Sequence, residues 1–209
     1  ILRIGNVMCL PPLGLGYLAA SIEQGGHEVK IIDLSVSGIT DDGLLRDIEK
    51  ASYDVVGIYT MTPMYPDFMQ LVSLVSDNFK DIFLIAGGPH PTVLPKETLK
   101  ENPGLDYVVV GEGEATIIEL LSCIVHKKDT SGVKGLALRK NGEVLVTQKR
   151  ELIDDLDSLP RVAYKFFEME KYMPAPDSYR YYPATHMMRS RGCPFKCTYC
   201  CTDRNVRAS

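Results

Sequence analysis

Three thiols stand at Cys193, Cys197 and Cys200 in the stretch SRGCPFKCTYCC. Their C-x3-C-x2-C spacing places three sulfur ligands on one short loop, and soft thiolate sulfur selects iron–sulfur clusters or zinc. Zinc would want a fourth ligand; His186, the nearest histidine, lies upstream on a stretch that reads as a strand. Three ligands leave one metal position open. Arg189, Arg191, Lys196, Arg204 and Arg207 surround the loop with only Asp203 against them, an arrangement that favours an anionic cluster or is simply a solvated basic tail. Cys201 lies outside the pattern.

A second set of residues with chemical potential sits where apolar runs end. Thr60-Met61-Thr62 follows VVGIY, Gly87-Gly88 follows IFLIA, and Gly111-Glu112-Gly113 follows YVVV. Glycine at such points lets backbone N–H groups approach a flat or phosphorylated ligand, and adjoining helix starts favour an anion. Taken singly, each is an ordinary tight turn between strand and helix. No G-x-G-x-x-G stands between a strand and a helix, so a dinucleotide fingerprint is not supported. Cys123 and His126 lie on an amphipathic stretch and read as structural; Met61, Met64 and Met69 read as packing.

The elements that position these residues alternate. Helical spacing over 13–24 is followed by a Gly25-Gly26 stop and a short apolar run, Val29 to Leu34, that reads as a strand. Helix and strand then recur in DDGLLRDIEKA, DVVGIYT, YPDFMQLVSLVSDNF, IFLIAGG, TVLPKETLKEN, LDYVVVGEGE and ATIIELLSCIVHKK. Strands apolar on both faces imply a parallel sheet covered by helices, an α/β doubly wound sheet that binds ligands beyond its carboxyl edge. After Lys128 two alternating runs join through Asn141-Gly142, a hairpin signal. A proline-bearing linker follows, and THMMRSRG reads as one more strand leading into the cysteines.

Composition limits the rest. The chain has 209 residues, 45% of them hydrophobic, enough for one α/β domain and an appendage. With 23 Lys+Arg against 27 Asp+Glu the net charge is -4, which argues against nucleic acid or an anionic membrane as partner. No apolar run of roughly 18 residues is present, and ILRIGNVMCL lacks the order of a signal peptide. A cytoplasmic location is expected, where clustered thiols serve metals or redox chemistry. The absence of an initial Met reads as a trimmed N-terminus.

PPLGLGYLAASIEQGGHEVKIIDL, GGPHPTVLP, DYVVVGEGEATIIELL and DDLDSLPR resemble the N-terminal cobalamin-binding domain of the B12-dependent radical S-adenosylmethionine (SAM) enzymes, a group that includes the anaerobic magnesium-protoporphyrin ester cyclases and many C-methyltransferases. SRGCPFKCTYC resembles the start of their radical SAM barrel. The likeness runs from about Leu10 to the end and is weaker between 130 and 183. It implies a Rossmann-like cobalamin-binding domain over 1–128, a hairpin and linker over 129–183, and the truncated beginning of a radical SAM domain over 184–209.

The resemblance also implies cofactors and their residues. Cobalamin would meet Thr60, Met61, Thr62, Gly87, Gly88, Gly111, Glu112 and Gly113, with His90 capping or touching its periphery. Cys193, Cys197 and Cys200 would hold a [4Fe–4S] cluster whose open iron is chelated by the amino and carboxylate groups of SAM, with Tyr199 beside the adenine. Tyr59 stands where relatives commonly show serine. The cobalt-ligating D-x-H-x-x-G is absent: setting its glycine at Gly14 puts Cys9 and Pro11 at the Asp and His positions, and setting it at Gly16 puts Pro11 and Leu13 there. Cobalamin is therefore expected base-off with no histidine ligand, its lower face covered by residues 7–13.

The implied reaction is cleavage of SAM to a 5′-deoxyadenosyl radical, hydrogen abstraction from an unactivated carbon of a small-molecule substrate, and methyl transfer from methylcobalamin. The electron donor would be a flavodoxin or ferredoxin. Alternatives are ring closure or rearrangement without methyl transfer, or a non-catalytic cobalamin carrier or sensor with a vestigial cysteine loop. No catalytic residue is assigned, and the chain alone is expected to be inactive.

Overall fold

The computed structural model describes residues 10–200 apart from Pro194 and Lys196. These fall into two compact units, one formed by residues 32–150 and the other by the segments up to Ile31 and from Glu151 onward.

The first unit is a five-stranded sheet in the order β1 (Val55–Tyr59), β2 (Phe83–Gly87), β3 (Tyr107–Val109), β4 (Leu136–Lys140), β5 (Glu143–Val146). β1, β2 and β3 are parallel, with Tyr59 opposite Gly87 and Ala86 opposite Val108. Their carboxyl ends therefore share one edge. β4 and β5 run antiparallel and extend the same sheet, so the hairpin continues the α/β layer instead of leaving it. Its turn uses Asn141 at φ 53° and Gly142 at φ 82°, the paired left-handed residues that match the twist of the flanking strands.

One face of the sheet packs Ile58, Leu84, Ala86, Val108 and Ala137 against three helices: α2 (Asp41–Ala51) through Leu44 and Ile48, α3 (Tyr65–Asn78) through Phe68, Val72 and Val75, and α5 (Pro95–Glu101) through Leu99. By the alternation of strands, Ile85, Val109, Leu136 and Leu138 face the other way and are also buried. Two further helices connect the strands: α4 (Pro89–Val93) after β2 and α6 (Glu114–Val125) after β3. The N-terminus of α2 is capped by the Thr40 hydroxyl, which accepts from the Gly43 N–H at 3.2 Å.

Val29–Leu34 is not a strand. Ile32 and Leu34 pack on the edge of the core, but the Asp33 carboxylate accepts from the Ser35 N–H (2.9 Å) and hydroxyl (2.5 Å), and its carbonyl accepts from Val36 and Ser37. This turn consumes the polar groups that a ladder would have used.

In the second unit, α1 (Leu13–Gln24) packs closely on the segment 160–167. Gly16 permits this approach: a Cβ there would lie 2.6 Å from Val162 Cγ1, and the Gly16 carbonyl accepts from the Ala163 N–H at 3.2 Å. The linker is a series of single 3-10 turns at 156–158, 164–166, 169–171 and 176–178. THMMRSRG, expected as a strand, forms none. Other contacts engage it: the Tyr164 hydroxyl donates to the His186 carbonyl (2.6 Å) and Arg191 Nε donates to Met188 Sδ (3.3 Å).

Arg139, on β4, ties the sheet to the end of α5. Its guanidinium donates to the carbonyls of Leu99 and Leu105 and, at 3.0 Å, to that of Asn102. Leu99, Asn102 and Leu105 are all buried, so these acceptors have little access to water. Arg139→Met is expected to lower stability by about 1.5–3 kcal/mol, the usual scale for losing charge-assisted bonds to buried acceptors. A urea melt checks this; an unshifted midpoint would contradict the tie.

Candidate functional site

The parallel register brings the loops after β1, β2 and β3 together, and these hold all the candidate residues named at the strand ends. Their surroundings differ sharply. Thr60 is fully buried, donates its N–H to the Gly87 carbonyl (3.0 Å), and donates its hydroxyl to the Met61 carbonyl (3.1 Å). Met61 and Thr62 are exposed.

Gly87 and Gly88 serve different purposes. A Cβ at Gly87 would meet nothing within 4 Å, whereas one at Gly88 would lie 2.5 Å from the Thr60 carbonyl oxygen and 2.9 Å from the Tyr59 ring. Gly88 also has φ +108°, which side chains rarely accept. Gly88 is thus required by the chain's own packing, and Gly87 leaves open space on the edge. Gly111 combines a left-handed turn with open space: its φ is +83°, and a Cβ there would meet nothing within 4 Å. Glu112 is half-buried, as is Gly113, which precedes α6. The Tyr59 ring fills the room that Gly88 leaves, and burial pushes its phenol above the ordinary value.

His90 is only 7% exposed. Its Nδ1 lies 3.2 Å from the Thr62 hydroxyl, and its ring stacks on Tyr65 at 3.9 Å between centroids. Tyr65 is itself anchored: its hydroxyl donates to Glu101 (2.8 Å) and accepts from Asn102 Nδ2 (3.0 Å). Burial, then the Glu101 hydrogen bond, push the phenol up to about 12, so it stays a donor at all ordinary pH. Thr92, which no sequence motif singles out, accepts the Gly111 N–H on its hydroxyl at 3.1 Å. Its one signal in the sequence is its place in GGPHPT, two residues after His90.

The edge fits a flat ligand held against backbone, since Gly87 and Gly111 open onto free space beside polar loop groups. The cysteine loop gives a different result. Cys193 is half-buried and Cys197 and Cys200 are exposed, none of the three in a disulfide, with the Cys200 N–H donating to the Cys197 carbonyl at 3.2 Å. Among the described residues no three His, Cys, Asp or Glu side chains converge as a metal requires. The donor set suits a cluster in kind, but the thiols are not gathered around a common point. Tyr199 is 91% exposed, and the Arg191 guanidinium lies over the Tyr17 ring at 5.1 Å. Lys196, Cys201, Asp203, Arg204, Arg207 and residues 7–9 of the expected lower-face loop lie outside the described residues.

An open groove of about 610 Å³ belongs to the second unit, between α1 and the segment 160–165, and contains none of the candidate residues. No helix among the described residues is long and apolar enough to cross a membrane.

Known proteins share both the sequence and the fold. The chain is 36% identical over 190 residues to the uncharacterized methyltransferase PH0819 of Pyrococcus horikoshii, covering 91% of this chain and 40% of that protein. It is 28% identical over 193 residues to the anaerobic magnesium-protoporphyrin IX monomethyl ester cyclase of Synechocystis sp., covering 91% of this chain and 38% of the cyclase. It therefore spans about 40% of the length of these curated relatives. The fold is shared with the cobalamin-dependent S-adenosylmethionine radical enzyme OxsB, solved with aqua-cobalamin and S-adenosylmethionine bound, at TM-score 0.74 and 20% identity over 96% of this chain and 27% of OxsB. The radical SAM methyltransferase TsrM from Kitasatospora setae gives TM-score 0.62 at 21% identity, covering 68% of this chain and 28% of TsrM. The B12-binding domain model matches residues 6–121, more than half of the sequence, and the chain belongs to that family.

Proposed function

We propose that residues 1–128 bind cobalamin at the carboxyl edge of β1–β3 and that residues 184–209 begin the radical SAM portion of a cobalamin-dependent enzyme acting on a small molecule. The observation that carries this reading is the open glycine edge at Gly87 and Gly111, inside the matched domain, in a chain that also bears C-x3-C-x2-C. Methylation of an unactivated carbon is the preferred reaction, favoured by the methyltransferase relative; ring closure, as named for the cyclase, is the second reading. Together the bound cofactors would supply a carbon-centred radical and a methyl donor. The chain's own part is to hold the corrin against backbone and exclude water from it.

Cobalamin is proposed base-off without a protein imidazole on cobalt, because D-x-H-x-x-G is absent and His90 is turned to Thr62 and Tyr65. The Co(II) spectrum of the bound cofactor should therefore show no nitrogen coupling from histidine and should be unchanged in His90→Ala. A histidine signal lost in that variant would contradict the assignment.

Assignment of the cluster rests on donor chemistry and spacing. Full-length protein reconstituted without oxygen is expected to hold one four-iron cluster, and Cys197→Ala to lose it. Undiminished iron and sulfide in the variant would show that the ligands lie elsewhere.

The two adjacent glycines separate contact from fold. Gly87→Val adds bulk into open space without a left-handed φ, so cobalamin should bind at least tenfold more weakly, about 1.4 kcal/mol, with little change in melting. Gly88→Val should instead lower the melting temperature through the clash with Thr60 and Tyr59. Lys128→Ala, beyond the C-terminal end of α6, should bind as the parent does. Parent-like cobalamin affinity in folded Gly87→Val would remove the edge as the binding surface.

A further inference from the structure

The short helix α4 follows β2, the strand between β1 and β3, and two of its side chains reach the loops on either side. His90 and Thr92 are two residues apart, about 200° around a helix, and so point in opposite directions. His90 meets the Thr62 hydroxyl in the loop after β1 (3.2 Å), while Thr92 accepts the Gly111 N–H in the turn after β3 (3.1 Å). The base of the helix is fixed by backbone bonds from the Thr92 N–H to the Gly88 carbonyl (3.1 Å) and from the His90 N–H to the Thr60 carbonyl (3.4 Å). Tyr65 closes the back of the imidazole by stacking, and is held in turn by Glu101 and Asn102.

We infer that His90 and Thr92 are positioning residues that set the spacing of the three cofactor loops, and that neither needs to touch the cofactor to do so. This rests on the cobalamin reading of the same edge. The physical reason is that Gly111, with φ +83° and no side chain, has little of its own to hold it; the Thr92 bond fixes the direction of its N–H. Thr62 is exposed, and the His90 bond ties its hydroxyl to the buried interior. Loops arranged before the ligand arrives lose less entropy on binding, so the brace adds affinity through preorganisation.

The test uses three variants and two readouts. His90→Phe keeps a ring against Tyr65 but removes the bond to Thr62; Thr92→Val removes the acceptor for Gly111 at nearly constant shape; Thr92→Ser restores it. In the cofactor-free protein, amide exchange should quicken at least tenfold at Gly111 in Thr92→Val and across 60–62 in His90→Phe, with β2 still protected. Hydroxocobalamin should bind about fivefold more weakly to each. Thr92→Ser should bind and exchange like the parent. Equal hydroxocobalamin affinity in the parent, His90→Phe and Thr92→Val would overturn the brace even if melting temperatures fell, since a merely structural role predicts that pattern. Failure of the parent itself to bind hydroxocobalamin would overturn the cobalamin reading and the brace's cofactor role with it. Unchanged exchange at Gly111 in Thr92→Val would overturn the brace alone.

Discussion

Gly88 sits at φ +108° with the Thr60 carbonyl and the Tyr59 ring where a side chain would be, and the geometry of the strand edge depends on that contact. The turn lets the chain leave β2 sharply, so α4 begins at once and His90 arrives beside Thr62. Just before it, the β1–β2 ladder carries on one residue past β1, with the Thr60 N–H donating to the Gly87 carbonyl. One missing Cβ thus connects two loops, and Thr92 extends the connection to a third. The glycine pair is best understood as a division of labour: Gly88 makes the edge possible and Gly87 leaves it open.

The same edge explains why Tyr59 is compatible with the family fold. A serine in that place would offer a small polar group; the tyrosine offers a ring, and the ring occupies space that Gly88 vacates. Burial raises its phenol, which therefore remains neutral and adds no charge beside the open surface. His90 shows a related economy. A histidine near the proposed cobalamin edge invites a ligand role, yet the imidazole is bonded to Thr62 and stacked on Tyr65.

Much of this fold was legible because the signals were local. The helices at 41–51, 65–78 and 114–125 follow from apolar spacing, and Asn141-Gly142 specifies its hairpin turn through the two left-handed residues it allows. Two runs read as strands misled for a shared reason: a strand exists only where another segment completes its ladder. Val29–Leu34 ends in the Asp33 turn, and 185–192 meets Tyr164 and Tyr17 and makes its own Met188–Arg191 contact in place of a ladder. Within the candidate edge, the glycines were visible as residue types, but their separate duties were not, because these depend on what each Cβ would meet. Thr92 was hidden for the same reason; its partner is 19 residues away and comes near only through the register of β2 and β3. The cysteine spacing was plain in sequence, whereas the thiols are not drawn together among the described residues.

The central claim is that cobalamin lies on the carboxyl edge of β1–β3. Hydrogen exchange of the protein with and without hydroxocobalamin tests it most directly, because it locates the ligand without a mutation. The account predicts new protection over 60–62, 87–92 and 111–113, with residues 160–165 of the second unit unchanged. Protection confined to the groove at 160–165, with the three loops exchanging as before, would contradict it.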